Sequence, residues 1–270
     1  YIGEASIGWC GYPLDKRIFP WNHANCGDLN LSGERRPQSY LRETLWSDAP
    51  VSHIVVTPPV PSFPLNPNKA DWSVWDFPDV VDHWNFPGYE GKKMTVSVYS
   101  NCEQVELFLN GESLGKQENT ADKKNTLVWE VPYAHGILKA VSYNKGGEVG
   151  TATLESAGKV EKIRLSADRT EIVADGNDLS YITLELVDSK GIRNQLAEEL
   201  VEFSIAGDAT IEGVGNANPM SIESFVANSR KTWRGSNLLV VRSGKSSGRI
   251  IVTAKVKALP VASITITQKK

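Results

Sequence analysis

Two acidic side chains near the start, Glu4 and Asp28, are of the type that works in pairs as general acid and base. Nothing in their spacing brings them together, so no catalytic residue is assigned. His23, Cys26 and Asp28 lie close in sequence and are metal-ligand types. The four histidines, His23, His53, His83 and His135, nevertheless show no paired ligand spacing, and surface or turn histidines are expected, with no metal site. Gly213-Val214-Gly215-Asn216 lacks the strand–loop–helix setting of a phosphate-binding loop and reads as a turn. Ser221, Ser224 and Ser243 sit in no nucleophile-elbow motif. No cofactor motif is present. The residues with most binding potential are Trp72, Trp75 and Trp84, whose flat indole faces suit stacking against sugar C–H groups. Such rings also dominate packing interfaces and cover sheet edges, and packing is the stronger reading.

The 270 residues suffice for about two domains of ordinary size. They are 40% hydrophobic and 23% charged, a globular balance. With 29 Lys and Arg against 32 Asp and Glu, the net charge of −3 gives no electrostatic reason to expect nucleic acid or an anionic membrane as partner. Apolar runs are strand-sized, and the opening residues show no basic stretch followed by an apolar one. Cys10, Cys26 and Cys102 are an odd count, too few for a disulfide framework. Cys10 and Cys26 could bridge in an oxidising compartment; small buried apolar residues are the favoured alternative.

Hydrophobic periodicity divides the chain at about 47 and 158. Residues 1–47 are an irregular, Gly- and aromatic-rich leader containing one helix. That helix starts at Pro37, a residue suited to a first helical turn, and ends near Trp46. Tyr40, Leu41, Thr44 and Leu45 define its expected apolar side. From 48 to 157 the period is two, with strands at 52–57, 94–99, 105–109, 127–131, 138–143 and 148–154. Asn110-Gly111 marks a tight hairpin before Ser113-Leu114. From 158 to 270 seven strands are expected, at 163–166, 171–174, 181–188, 201–206, 238–243, 250–255 and 262–267. Asp175-Gly176 and Lys190-Gly191 supply turns. The fold class is therefore all-β: two tandem immunoglobulin-like β-sandwiches behind a short leader with one helix.

Several motifs, in order, carry a resemblance. They are Glu4-Ala5-Ser6-Ile7-Gly8-Trp9, Phe19-Pro20-Trp21, Cys26-Gly27-Asp28-Leu29 and Arg36-Pro37-Gln38-Ser39-Tyr40. Together they resemble the end of the catalytic (β/α)8 barrel of bacterial glycoside hydrolase family 2 enzymes, in the β-galactosidase-like group. Val98-Tyr99-Ser100-Asn101-Cys102 and Glu106-Leu107-Phe108-Leu109-Asn110-Gly111-Glu112-Ser113-Leu114-Gly115 resemble the Ig-like domain that follows that barrel. Ala174-Asp175-Gly176, Glu223-Ser224-Phe225 and Arg230-Lys231 are similar to a further C-terminal domain akin to invasin-type repeats.

The resemblance implies a parent enzyme that hydrolyses terminal β-glycosides with retention, β-galactosides above all, using two glutamates. Such chemistry holds its carboxyl groups about 5–5.5 Å apart, and neither glutamate maps onto this chain. It implies that residues 1–47 are the remnant of a TIM barrel, with Glu4 and Trp9 as pocket-rim residues, because barrel sites form at the C-terminal ends of strands. It implies as partners the missing catalytic barrel of the same polypeptide, carbohydrate for the parent and a possible homo-oligomer, in the periplasm or outside the cell. The competing expectation is a carbohydrate-binding or adhesion module of Ig-like domains.

Overall fold

A computed structural model describes residues 27–63 and 77–270. The chain divides into two compact units, the first ending at Ser156 and the second running from Ala157 to Lys270.

In the first unit, helix α1 (Pro37–Trp46) precedes strands β1 (Ser52–Val56), β2 (Lys93–Ser100), β3 (Gln104–Leu109), β4 (Glu112–Glu118), β5 (Thr126–Pro132), β6 (Ile137–Asn144) and β7 (Gly147–Glu155). They form a sheet ordered β1-β2-β5 and a second ordered β4-β3-β6-β7, with every pairing antiparallel. Period-two alternation sends Ile54, Val96, Val98, Leu127 and Val131 inward from one sheet, and Val105, Leu107, Leu138 and Ala140 from the other. These side chains meet as one core, which is what makes the pair of sheets a sandwich. Asn110 (φ 51°) and Gly111 (φ 87°) turn β3 into β4 in the left-handed conformation that the sequence pair favours. Side chains also stitch the sheets together along one side. The Trp129 indole N–H donates to the Gly115 carbonyl at 3.2 Å, and the Gln117 amide to the Val128 carbonyl at 2.7 Å. These bonds tie β4 to β5, the edge strands of the two sheets on that side.

In the second unit the strands are β8 (Lys162–Ala167), β9 (Glu171–Val173), β10 (Leu179–Val187), β11 (Leu200–Ala206), β12 (Ala209–Gly215), β13 (Ser229–Lys231), β14 (Ser236–Ser243), β15 (Gly248–Val256) and β16 (Ala262–Lys269). One sheet is ordered β12-β14-β10-β8 and the other β13-β11-β15-β16-β9. All neighbours are antiparallel except β16 and β9, which run parallel with Thr267 opposite Glu171 and Lys269 opposite Val173. Ile182, Leu184, Leu186, Leu239 and Val241 from the first sheet pack on Phe203, Ile250, Val252 and Ile266 from the second. Gly207 (φ 114°) joins β11 to β12 where a Cβ would lie 2.4 Å from the Arg249 carbonyl oxygen, so only glycine fits without a shift.

The all-β architecture stands, with three corrections in detail. The stretch read as a turn at Gly213-Val214-Gly215 is the end of β12, where a register shift between Ile211 and Gly213 disrupts the alternation. The short strand β13 was not expected, because its middle residue is an arginine that nevertheless points inward. The helix side expected to face inward does so only in part, through Thr44 and the half-buried Tyr40 and Leu41. Pro37, Gln38, Ser39 and Thr44 are buried, whereas Leu45 and Trp46 are 63% and 68% exposed.

Candidate functional site

Among the described residues, the structure gathers polar and aromatic groups along the seam where α1 meets the first sandwich. The helix supplies little of its own stability: no side chain caps its N-terminus, and it lacks acidic residues in its first turn and basic ones in its last. The sandwich satisfies its far end instead. The Asn125 amide donates to the Thr44 carbonyl at 3.3 Å and to the Thr44 hydroxyl at 3.1 Å. Asn101, at the end of β2, donates to the Ser47 and Ala49 carbonyls, both at 2.9 Å, and accepts from the Val51 N–H at 2.8 Å. One asparagine thus holds both flanks of the link between α1 and β1.

Aromatic stacking completes the seam. The Tyr40 ring lies on the His53 imidazole with centroids 3.6 Å apart and planes 8° from parallel. The Arg35 guanidinium lies 3.9 Å from the Tyr40 ring centroid, adding a cation–π contact, while its Nη2 pairs with Glu43 at 2.5 Å. Burial pushes the His53 pKa down to about 4 against the opposing pull of Asp82, because a desolvated imidazolium is costly. Its Nε2 is buried without a hydrogen-bond partner, consistent with a ring held for its faces. Burial also raises the Tyr40 hydroxyl, with Arg35 opposing.

The residues singled out by chemistry are not brought together. Glu4, Trp9, Cys10, His23, Cys26, Trp72 and Trp75 lie outside the described residues. Asp28 is nearly buried and forms an ion pair with Arg42, so its carboxylate is committed to holding the helix. Trp84 is corrected from a sugar-facing candidate to a core residue. It is fully buried, its indole N–H donates to the Ala134 carbonyl at 2.9 Å, and its ring meets Phe86 and Tyr133 edge-on. No face is left for a ligand. The His83 Nδ1 accepts from the Asn85 N–H at 3.2 Å, a local contact, and His135 offers its carbonyl to the Asn110 amide at 3.2 Å, tying the β3–β4 turn to the segment before β6. The Ser221 hydroxyl donates to Glu223, the Ser224 hydroxyl accepts from Val226 N–H, and the Ser243 hydroxyl faces Asp175. Sequence reasoning missed Asn101, Asn125 and the Tyr40–His53 stack, since partners so distant in sequence leave no local pattern.

The fold and seam define a class: tandem all-β sandwich modules with a helix docked on the first. Residues 163–265 match the family described as glycoside hydrolase family 2 C-terminal domain 5, and residues 91–150 match one described as a domain of unknown function, DUF4982. The β-galactosidase BoGH2A of Bacteroides ovatus is 30% identical over 100% of this chain and 27% of its own length. A β-glucuronidase of Formosa agariphila is 30% identical over 73% of this chain and 20% of its own. A crystal structure of a glycosyl hydrolase family 2 member from Bacteroides cellulosilyticus superposes with a TM-score of 0.94 at 99% identity, over 100% of this chain and 35% of that one. The chain thus spans about a fifth to a third of these relatives. It belongs to glycoside hydrolase family 2, as a C-terminal region of that family.

Proposed function

We propose that this chain is a non-catalytic buttress within a family 2 enzyme that hydrolyses terminal β-galactosides with retention. The catalytic glutamates belong, in this reading, to the length of the relatives beyond the span matched here. α1 is the last helix of their barrel, and Glu4 and Trp9 lie at the rim of its pocket. The observation that carries the reading is the seam. Asn101, Asn125 and the Tyr40–His53 stack spend buried polar and aromatic groups on fixing a helix, and none of them is arranged around a reacting atom. The name of the Bacteroides ovatus relative favours galactoside as substrate, and that of the Formosa agariphila relative makes glucuronide the competitor.

The test is to assay the chain alone and the whole protein on chromogenic β-galactoside and β-glucuronide. Turnover of galactoside by the whole protein, with none by the chain, is expected. Turnover by the chain alone would end the buttress reading, and preference for glucuronide would end the galactoside assignment. The same proposal places the whole protein in the periplasm or outside the cell, with these modules contributing to a homo-oligomer; fractionation and sedimentation check both. With Trp84 in the core, the rival carbohydrate-module reading rests on Trp72 and Trp75. Titration of sugar against the Trp72→Ala/Trp75→Ala variant tests it.

A further inference from the structure

Asn110-Gly111 is the only Asn-Gly pair in the sequence, and it lies exposed on the two-residue turn between β3 and β4. This dipeptide is the one most open to spontaneous deamidation, because glycine has no side chain to shield its N–H. The Gly111 nitrogen attacks the Asn110 side-chain carbonyl carbon, Cγ. The N–Cγ bond forms, the Cγ–Nδ2 bond breaks, and ammonia leaves carrying the Gly111 amide proton. Water then opens the five-membered succinimide at either carbonyl, leaving an aspartate or an iso-aspartyl link.

The fold opposes this reaction twice. Ring closure requires the Gly111 nitrogen to lie on the same side of the Asn110 Cα–C bond as the Cβ. Asn110 is left-handed (φ 51°), and at the ψ of about +30 to +60° that belongs to that region the nitrogen is held roughly opposite the Cβ. The carboxamide is also pinned. Its Oδ1 accepts from the Ile137 N–H at 2.8 Å and its Nδ2 donates to the His135 carbonyl at 3.2 Å, while the Asn110 N–H donates to the Ile137 carbonyl at 2.8 Å. Gly136 runs so close to the amide that a Cβ there would lie 1.8 Å from Oδ1. Backbone and side chain must both let go before the ring can form.

We propose that Asn110 is a latent deamidation site, shut in the folded hairpin and opened when residues 135–137 part from the turn. Refolding cannot reverse the conversion. The product carboxylate has lost the Nδ2 donor and sets an oxygen against the His135 carbonyl. The iso-aspartyl form also lengthens the backbone of a turn that has only two residues. Each opening that reacts therefore leaves the turn permanently loosened, and the first unit keeps a chemical record of its own openings.

The test is to hold the full chain in mildly alkaline buffer without urea, in urea below the unfolding midpoint, and fully unfolded, and to follow residue 110 by peptide mass spectrometry. Conversion should be at least about tenfold slower in the native chain than in the unfolded one, since the turn reacts only while open, and should rise with urea before global unfolding. In Gly136→Ala the new methyl group displaces the Asn110 amide, and the folded variant should convert at least about tenfold faster than the parent. Equal rates in native and unfolded chains, a native rate indifferent to urea, or a folded Gly136→Ala that converts at the parent's rate would each overturn the proposal. If Gly136→Ala does not fold, the urea series on the parent decides alone.

Discussion

His53 is a histidine kept neutral by burial beneath the Tyr40 ring. Its folded-state pKa, about 4, lies below the ordinary 6.5, so the unfolded chain takes up its proton first as pH falls. The stability it contributes is therefore whole above pH 6.5 and is lost progressively down to about pH 4. The full loss is on the order of 2–3 kcal/mol, given how far the ring is buried. Urea midpoints of the first unit measured from pH 7.5 to 4.5 should fall with acid through this window. In His53→Phe, which keeps the stack but cannot protonate, that part of the slope should vanish. An unchanged slope would mean that the ring is hydrated in solution.

At the scale of elements, α1 depends on groups outside itself. Replacing Asn101 and Asn125 by alanine leaves the Thr44, Ser47 and Ala49 carbonyls short of donors, at a cost of about 1–3 kcal/mol for each site. Hydrogen exchange at the amides of residues 40–47 should then accelerate, while that of β14 and β15 stays unchanged. The β11–β12 turn is a second such point. Gly207→Ala forces a side chain into the left-handed region and against Arg249, and should cost about 1–3 kcal/mol in thermal unfolding of the second unit.

How far these elements could be read from sequence follows from the range of the forces involved. Asn110-Gly111, Asp175-Gly176 and Lys190-Gly191 were legible because a turn is decided by its own residues, and Gly176 and Gly191 do take positive φ. The strands of both cores were legible from simple alternation. β12 was hidden by its glycines and register shift, β13 by an inward arginine, and the helix face by Gln38 and Ser39 being buried while Leu45 is not. The seam was invisible because Asn125 meets Thr44, and Asn101 meets Ser47, only after the sheets have formed.

At the scale of the molecule, each unit carries its own core, so each has what independent folding requires. Residues 157–270 expressed alone should unfold in a single cooperative transition with dispersed amide resonances; a collapsed, poorly dispersed product would show that the second core is incomplete. Within that unit the pairing of β9 with β16 sets how it bears mechanical load. The strands run the same way, and their ladder is flanked by the bonds from Thr267 N–H to the Thr170 carbonyl and from Ala174 N–H to the Lys269 carbonyl. Tension drawing the start of β9 and the end of β16 apart therefore loads these bonds in shear, so that they must rupture together rather than unzip in turn. Stretched in a single-molecule trap, the unit should yield in one abrupt event, at a force that drops when Ile172 is replaced by proline and a rung of the ladder is lost.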